Sequence, residues 1–498
     1  MAYGRPGVYV SERLLPAPIA VTGTANAAGA VVGAFAQGPQ TVTLVTSWYD
    51  FVKKFGGYNA SFQATFGVGA FFQNGGSELY VKRVLSTDAV AANANIPAAT
   101  SGNIGTVTAK NAGAAGNNLR VQFVAGASGT YTITVYLEGG VSSTDSSDAN
   151  DLVVEQYSNV VLDDTTSSDY AVTIVNAASE YITLAISDNS TAPGTARIPL
   201  TTGANGTAPV AADYVSATSD FGSIDRPLVL FAPEIMAILG AANGKTVQDG
   251  LISFATSNNH FAVLDTDDAL TPAQAVSYAT SIGGYSNAAV YYPNVYISDP
   301  LGRSAASLRL VGPAGAMAGM YLFTDRQTGP FKAPAGVRYA VRGVVAPERT
   351  FTAAELDTLN SAVTPVNALR SLPGAGVVSM GARTLLQDGT ANRYVNMRRS
   401  LIYVRKSLED LTQFALFENN DERLWARLRT AISVFLTGYQ NQGGLRGATP
   451  AEAFYVKCDT ENNPAASIAN GEVHIEIGVA LQYPAEFVVI NLSQKTSA

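Results

Sequence analysis

A strand-rich, acidic segment interrupts the chain at residues 86–215. The stretches with period-two alternation are NLRVQFVAG (118–126), TYTITVYLEG (130–139), YAVTIVNA (170–177) and YITLAIS (181–187), separated by clusters of Gly, Asn, Asp and Ser. Short alternating strands at this spacing predict an antiparallel sandwich or barrel. The segment holds three basic and twelve acidic residues, a net charge of −9, whereas the whole chain carries −8. We therefore predict an inserted, acidic all-β domain within a near-neutral chain.

Downstream of this segment, the pattern changes to strands alternating with helices. HFAVLD (260–265) and AAVYYPNVYIS (288–298) predict strands, and TPAQAVSYATSIGG (271–284) predicts a helix between them. Thr271 suits an N-cap and Pro272 the first helical position. This order predicts a mixed or partly parallel sheet. At 498 residues the chain is too long for one core, so we expect an α+β protein of several domains.

Two amphipathic helices are predicted near the C-terminus. In the first, within 394–411, apolar residues recur at spacings of four and three: Met397, Leu401, Val404, Leu408 and Leu411. In the second, within 418–436, the same pattern joins Leu424, Leu428, Ile432 and Phe435. Each stripe predicts a buried helix face. Asn419, with Glu422 three residues later, resembles a capping box at the start of the second helix.

Both ends of the chain carry a short apolar strand. The first comprises Pro6, Gly7, Val8, Tyr9 and Val10, and the second comprises Phe487, Val488, Val489 and Ile490. A terminal strand can be an edge of its own sheet. Alternatively, its unpaired N–H and C=O groups can pair with another chain by β-augmentation.

One segment has the outline of a nucleotide-binding loop. Gly240 and Gly244 precede Lys245 and Thr246, and an apolar strand ending in Asp265 follows. Only three residues separate the glycines, one fewer than a loop that wraps phosphates requires. We interpret the segment as one helix ending at Gly244 and another starting near Thr246, with a P-loop-like nucleotide hydrolase as the alternative.

Other patterns do not favour catalysis or ligand binding. Asp265, Asp267 and Asp268 could hold a cation, but a solvated turn is the simpler interpretation. The single cysteine, Cys458, rules out an intramolecular disulfide and fits a reducing cytoplasm. The longest stretch without a polar side chain, 310–323, is too short to span a bilayer. We predict no catalytic residue, metal or cofactor, no membrane insertion and, without a dominant basic face, no nucleic-acid binding.

A basic stripe marks the first of the two C-terminal helices. Residues 391–408 contain several basic residues and no acidic one. Side chains seven residues apart return to nearly the same side of a helix. Arg398 therefore stacks with Arg405, and Arg399 with Lys406. The stripe is either a solvated basic face that pairs with Glu409, Asp410 or another subunit, or a surface that meets an acidic partner.

Longer motifs resemble the contractile tail sheath proteins of myophages and related injection systems. In the first part of the chain these are PGVYVSE (6–12), GAFAQGP (33–39), VTSWYDFVKKFGGY (45–58) and FFQNGGSELYVKRV (71–84). In the second part they include YYPNVYISDP (291–300), GMYLFTDRQTGPFKAPAG (319–336), MGARTL (380–385), GGLRGATPAEAFYVKCDTENNP (443–464) and NGEVHIEIGVALQYPAEFVV (470–489). The resemblance covers about residues 1–85 and 285–498, and the acidic insertion matches none of these motifs.

The resemblance implies a mixed α/β core formed from both chain ends, with the sandwich- or barrel-like insertion facing outward. It implies hexameric rings stacked as a helix around a tail tube, which contract to drive the tube through the host envelope. The terminal strands would then join the sheets of neighbouring subunits, and Arg398, Arg399, Arg405 and Lys406 become candidates for facing the tube. A bacteriocin sheath, or that of another contractile injection system, is the nearest alternative.

The expected divisions are an N-terminal extended arm (1–22), the first part of the sheath core (23–85), the inserted domain (86–215), an α/β domain (216–370), the C-terminal sheath core (371–480) and a C-terminal arm (481–498). Expected partners are other copies of the chain, the tail tube protein, and baseplate and tail terminator proteins. The expected location is the virion tail, after synthesis and assembly in the host bacterial cytoplasm.

Overall fold

The structure is a computed structural model that describes residues 27–138, 151–302, 304, 306–386 and 389–486. These residues form two compact units, a larger one of residues 27–403 with 482–486 and a smaller one of residues 404–481. The predicted terminal strands at 6–10 and 487–490 lie outside the described residues.

The first part of the chain builds one side of a central sheet. Its elements are β1 (Ala28–Gly33), β2 (Thr43–Val45), α1 (Trp48–Phe55), α2 (Ala64–Gln73) and β3 (Leu79–Arg83). All six residues of β1 are buried, because the strand lies between two parallel neighbours in a sheet covered on both faces. The α1 helix begins where the Ser47 side chain accepts the Asp50 N–H, which satisfies a backbone donor of the first turn.

The acidic insertion has a hydrophobic core of its own. Its elements are β4 (Asn93–Pro97), β5 (Asn103–Ala109), β6 (Leu119–Ala125), β7 (Tyr131–Leu137), β8 (Leu152–Val160), α3 (Ala171–Ala178), β9 (Ile182–Ile186) and β10 (Ile198–Pro199). The strands form two antiparallel sheets, with orders β4-β5-β9 and β10-β6-β7-β8. The β-rich character of the segment is thus as expected.

The insertion is not purely β, because the predicted strand YAVTIVNA (170–177) is largely helix α3. Ala171 and Val175, one helical turn apart, are buried in the insertion core. The Asn176 side chain also bonds the N–H and the C=O of Leu184 in β9. A short apolar run fits either period, and packing against β9 favours the helix.

The middle of the chain completes the central sheet. Its elements are α4 (Ala211–Thr218), β11 (Leu228–Phe231), α5 (Ile235–Leu239), α6 (Ala241–Ser257), β12 (Phe261–Asp265), α7 (Pro272–Ile282), β13 (Ala288–Tyr292), β14 (Val295–Ser298), β15 (Leu308–Val311), α8 (Ala314–Gln327), β16 (Val344–Pro347), α9 (Ala353–Ser361), β17 (Asn367–Leu372) and β18 (Gly376–Ser379). The sheet order is β18-β17-β13-β12-β11-β1-β3-β2, with parallel pairing from β3 through β17. The predicted βαβ unit is β12-α7-β13, and, as expected, Thr271 caps α7 and Pro272 is its first residue.

The central sheet joins strands from both sides of the insertion, so the predicted mixed α/β core is confirmed. Two of the expected divisions nevertheless cut through elements. Position 215 falls inside α4, whose Ala211, Tyr214 and Ala217 pack in the core of the central sheet. Position 370 falls inside β17, which pairs with β13 and β18. The compact units instead divide after residue 403.

Glycines let two helices on one face of the sheet approach closely. A Cβ at Gly315 would lie 2.2 Å from the Gly67 carbonyl oxygen, and one at Gly319 would lie 2.2 Å from that of Phe71. Gly315 and Gly319 belong to α8, whereas Gly67 and Phe71 belong to α2. Larger residues would therefore push the two helices apart, since protein interiors leave no such free space.

The C-terminal part contains α10 (Val395–Thr412), α11 (Glu422–Asn441), α12 (Pro450–Ala453), β19 (Phe454–Lys457), α13 (Ala465–Ala469) and β20 (Glu476–Val479). The predicted stripe of Leu424, Leu428, Ile432 and Phe435 is buried in α11. The predicted cap at Asn419 is wrong. Asp421 caps α11, because its carboxylate accepts the N–H groups of Arg423 and Leu424. Over the described ranges, no helix is long and apolar enough to cross a bilayer.

Candidate functional site

The segment that resembles a nucleotide-binding loop is helical. Gly240, with φ of 78°, separates α5 from α6, and Gly244 lies inside α6, where its N–H bonds the Gly240 carbonyl. Both the phosphate loop and the helix end predicted at Gly244 are therefore wrong. Lys245 forms an ion pair with Asp249 one turn later, at 2.6 Å. Because the N–H of Gly244 is used within the helix, the segment cannot wrap a phosphate.

Two buried carboxyl groups hold the loop that precedes α8. Glu234 follows β11, and Asp265 ends β12. The Gly312 N–H donates to Glu234 Oε1 at 2.9 Å, and the Ala314 N–H donates to Asp265 Oδ1 at 2.5 Å. Burial raises the pKa of Asp265 to about 7, and burial followed by the nearby Asp265 carboxylate raises the pKa of Glu234 well above its ordinary value. These groups fasten the start of α8 to the carboxyl ends of the central strands β11 and β12.

The three aspartates considered as a cation site do not converge. Asp265 is buried, Asp267 is half-buried and Asp268 is exposed. Across the described residues, no group of three or more His, Cys, Asp or Glu side chains could hold a metal ion. The solvated turn thus remains the interpretation of residues 267 and 268.

The four basic candidates on α10 do not form one surface stripe. Arg405 is exposed and Arg398 is half-buried, whereas Arg399 and Lys406 are buried. Arg398 Nε donates to the side-chain oxygen of the buried Asn287 at 3.1 Å. Arg405 is therefore the member of the set that presents its side chain openly to solvent.

Arg399 and Lys406 are occupied inside the protomer. Arg399 pairs with the carboxylate of Asp325, and its guanidinium carbon lies 4.6 Å from the centre of the Tyr321 ring. Burial raises the pKa of Asp325, and the charge of Arg399 offsets part of that rise. Lys406 pairs with Asp410 at 2.8 Å. The expectation of an exposed face at these two positions is wrong, because the buried face of α10 is broader than its apolar stripe.

An ion pair anchors the chain just before the predicted C-terminal arm strand. Arg383 Nε and Nη2 donate to the two carboxylate oxygens of Glu486 at 2.8 and 2.7 Å. Arg383 Nη1 donates to the Asn360 carbonyl at 2.7 Å. The Tyr394 hydroxyl lies 3.5 Å from Glu486 Oε2. This bidentate geometry fixes both position and orientation, and we call these four residues the arm root.

The smaller unit carries a two-stranded antiparallel sheet. In it, β19 and β20 pair from Phe454 with Val479 to Lys457 with Glu476. Within the described residues, the two strands pair only with each other. The connection between them is closed by Asn463, which donates to the His474 carbonyl at 3.1 Å and accepts the His474 N–H at 2.6 Å. The sheet is thus held in shape by its own loop, and among the described residues the outer edge of each strand pairs with no third strand.

Arg83 has a structural role that the sequence patterns did not indicate. Arg83, at the end of β3, is 1% exposed and donates to the carbonyls of Phe35, Ala36 and Gly38 at 2.8–3.1 Å. It also donates to the carbonyl of Ala112 in the insertion at 2.8 Å. Burial lowers its pKa to about 10. The sequence signal for this role was the place of Arg83 at an inward position of an alternating strand.

Comparisons with known proteins point to one group. Residues 387–495 match the family model of the phage tail sheath C-terminal domain. The chain is 30% identical over 184 residues to the tail sheath protein of Vibrio phage KVP40, which covers 37% of this chain and 26% of that relative. The match thus spans about a quarter of the curated relative.

Solved structures resemble the chain over nearly its whole length. A sheath of the extracellular contractile injection system PVC, in the contracted state, has a TM-score of 0.61 and 20% identity, and the match covers 99% of each chain. A sheath tail protein from Listeria innocua has a TM-score of 0.63 and 14% identity, with 92% of this chain and 96% of that chain covered. The chain therefore has the fold of contractile sheath proteins, and its residues 387–495 match the model of the phage tail sheath C-terminal domain.

Proposed function

We propose that the chain is the structural subunit of a contractile tail sheath. It polymerises as stacked hexameric rings around a tail tube, and contraction of the polymer drives the tube through the host envelope. The observation that carries this proposal is the match to a contractile sheath over 99% of the chain, together with the sheath C-terminal domain at 387–495. No nucleotide is required, because contraction is a downhill repacking of a metastable lattice.

Exchange of terminal strands links the subunits. The strand at 6–10 and the strand at 487–490 add to the open edges of the β19–β20 sheet in neighbouring copies. Two features support this assignment: the sheet has two strands among the described residues, and the arm root holds Glu486 directly before residue 487. A donated strand needs a firm base, because a mobile base increases the entropy lost on pairing.

Strand exchange also explains how a strong polymer can move. Each ladder hydrogen bond contributes about 1 kcal/mol net, so one five-residue strand binds weakly. Several such links per subunit act together, and the polymer is then far stronger than one link. The cores then move as rigid bodies while the paired strands keep neighbouring subunits linked.

Arg405 is the residue we assign to the tube-facing surface. It is exposed on α10, whereas Arg399 and Lys406 are buried. Exposed ion pairs contribute less than about 1 kcal/mol each and are screened by salt. Many weak contacts suit a sheath that holds the tube before contraction and slides past it afterwards.

Within the assembly, we assign baseplate and terminator proteins as partners at the two ends of the sheath. The virion tail is the location, reached by assembly in the host cytoplasm. Two observations support the assignment to a tail: the curated relative is a phage tail sheath protein, and solved neighbours include a chain of the anti-feeding prophage baseplate. The acidic insertion projects outward, where its charge keeps sheath particles apart.

A sheath of another contractile injection system is the second candidate, favoured by the full-length match to the PVC sheath. Negative-stain electron microscopy of the purified chain tests the sheath function for both. We expect tubes or stacked rings with six-fold symmetry. Discrete particles at every concentration and salt condition would overturn the proposal.

A further inference from the structure

A fully exposed aromatic turn precedes α11 in the smaller unit. Leu416 and Phe417 are 69% and 108% exposed, and together we call them the knob. The Glu418 N–H bonds the Ala415 carbonyl at 3.2 Å, so residues 415–418 form a β-turn. Its first central residue, Leu416, has φ −63° and ψ 129°, and its second, Phe417, has φ 64°.

These angles define a type II turn, whose second central position normally holds glycine or asparagine. A bulky aromatic residue is strained there because its Cβ crowds the backbone. The Phe417 ring does not compensate for this strain by burial within the protomer, since it is fully exposed. Strain without an internal benefit indicates that the ring contacts something outside the protomer.

A shallow, open groove runs along the second half of α11. It is lined mainly by one face of that helix together with β19: Arg429, Thr430, Ser433, Val434, Thr437, Gly438, Asn441 and Val456. The floor of the groove is partly apolar, with Val434 54% exposed. We call it the α11 groove.

Gly438 in this groove is a second residue that is unfavourable for its local structure. It lies inside the 20-residue helix α11 and is exposed. A Cβ added at Gly438 would meet no heavy atom within 4 Å. Glycine weakens a helix relative to alanine, and the protomer itself offers no steric reason for it here. A missing side chain is useful if a neighbouring molecule approaches the helix backbone.

We propose that the knob of one subunit inserts into the α11 groove of a second copy of the chain. The inference rests on the proposed function, in which the chain polymerises. Glu418 beside the knob lies 3.8 Å from Arg427 of its own protomer, and Arg429 at the groove donates to the Cys458 carbonyl. An exposed ion pair such as Glu418–Arg427 is weak, so Glu418 can exchange Arg427 for the positive charge of Arg429 on the second copy. About twelve helical residues separate the N-terminus of α11 from the groove centre, roughly 20 Å. The two surfaces are therefore distinct.

A contact between two different surfaces is heterologous, and it propagates into rings or helices instead of stopping at a dimer. The knob and groove thus give the polymer a direction. This link is distinct from strand exchange, because it uses the turn, α11 and the lining residue Val456 instead of backbone pairing along the edges of β19 and β20.

The test combines two variants of the full-length chain. Phe417→Gly removes the ring and relieves the turn, so we expect a melting temperature raised by about 2 °C and polymer reduced at least tenfold. Gly438→Leu fills the groove without an internal clash, and we expect the same loss of polymer with no loss of thermal stability. Tyr49→Ala removes an exposed aromatic side chain from α1 and should polymerise like the wild type.

Mixing the two variants identifies the partner. Phe417→Gly retains the groove and Gly438→Leu retains the knob, so the mixture should form short oligomers that neither variant forms alone. Wild-type polymerisation by Phe417→Gly would overturn the inference and leave the sheath function standing. The inference would also be overturned if Phe417→Gly formed normal polymer and failed only to bind tail tubes. A melting temperature of Phe417→Gly more than 5 °C below wild type would overturn it too. A wild-type chain that never polymerises would overturn the proposed function as well.

Discussion

The buried Asp265 makes stability depend on pH in an unusual direction. Its pKa is about 7 in the folded chain against 3.8 for the exposed group, so the folded state holds a proton that the unfolded state releases between these values. The stabilisation is complete below about pH 4 and is lost as pH rises towards and through 7. Most carboxylates with lowered pKa values act in the opposite sense.

We predict that Asp265→Asn changes this dependence. The free energy of unfolding of the variant, relative to wild type, should improve by about 1–3 kcal/mol between pH 5 and pH 8. Denaturant unfolding at the two pH values measures the difference. The control is Asp268→Asn, at an exposed position of the following turn. Its free energy of unfolding should differ from that of wild type by the same amount at both pH values. A pH-independent effect of Asp265→Asn would contradict the prediction.

The basic residues of α10 should separate into structural and surface classes. Arg399→Ala leaves the buried Asp325 carboxylate without its partner and should destabilise the subunit by about 3–5 kcal/mol. Arg405→Ala should cost less than about 0.5 kcal/mol, because its side chain is exposed. Thermal or denaturant unfolding of the two single variants compares them directly. Equal losses in the free energy of unfolding would show that the burial of Arg399 does not contribute to stability.

Arg405 also tests the proposed grip on the tube. We expect Arg405→Glu to reduce co-sedimentation with tail tubes at low salt while sheath polymerisation continues. Arg398→Glu is a poorer test, since Arg398 bonds the buried Asn287 and its loss would disturb the protomer. Normal tube binding by Arg405→Glu would remove this residue from the tube-facing surface.

At the scale of elements, the arm root and the arm strand can be tested separately. Deleting residues 487–498 removes the strand and leaves Glu486 paired with Arg383. We expect this deletion to keep the melting temperature within about 2 °C of wild type and to prevent tube formation, because the links between subunits are lost. Calorimetry and electron microscopy are the measurements.

The matched variant is Glu486→Gln, which keeps the strand and weakens its anchor. It should yield tubes that are fewer or more easily dissociated by salt, since a neutral amide makes a weaker bond to Arg383 than a carboxylate. Normal tubes from the deletion would count against strand exchange, whatever Glu486→Gln does.

At the scale of the whole molecule, the insertion should be removable. Val90 and Ala204 form an antiparallel bridge, and Asp88 accepts hydrogen bonds from Thr207, so the two connections lie side by side. Replacing residues 89–206 with a short Gly/Ser linker should leave a folded chain that still forms tubes. Arg83 would lose one of its four carbonyl partners and retain those in the 35–38 loop. Circular dichroism and electron microscopy measure folding and assembly; an unfolded product would place the insertion within the core.

Local patterns in the sequence were enough to determine several elements. The βαβ unit around Thr271, the buried stripe of α11 and the β-rich texture of the insertion all follow from periodicity and capping, which involve neighbours in sequence. The family motifs likewise pointed to the sheath fold. What these patterns share is that their physical cause lies within one or two turns of helix or one strand.

Tertiary structure decided what depends on distant partners. The pairing of Arg383 with Glu486 joins residues 103 positions apart, and the pairing of Arg399 with Asp325 joins residues 74 positions apart. Whether Arg399 faces water or a carboxylate cannot be determined from helical spacing, because a basic residue is compatible with either. The choice between strand and helix at 170–177 was also made by packing, since a short apolar run satisfies both periods until a neighbouring strand is in place.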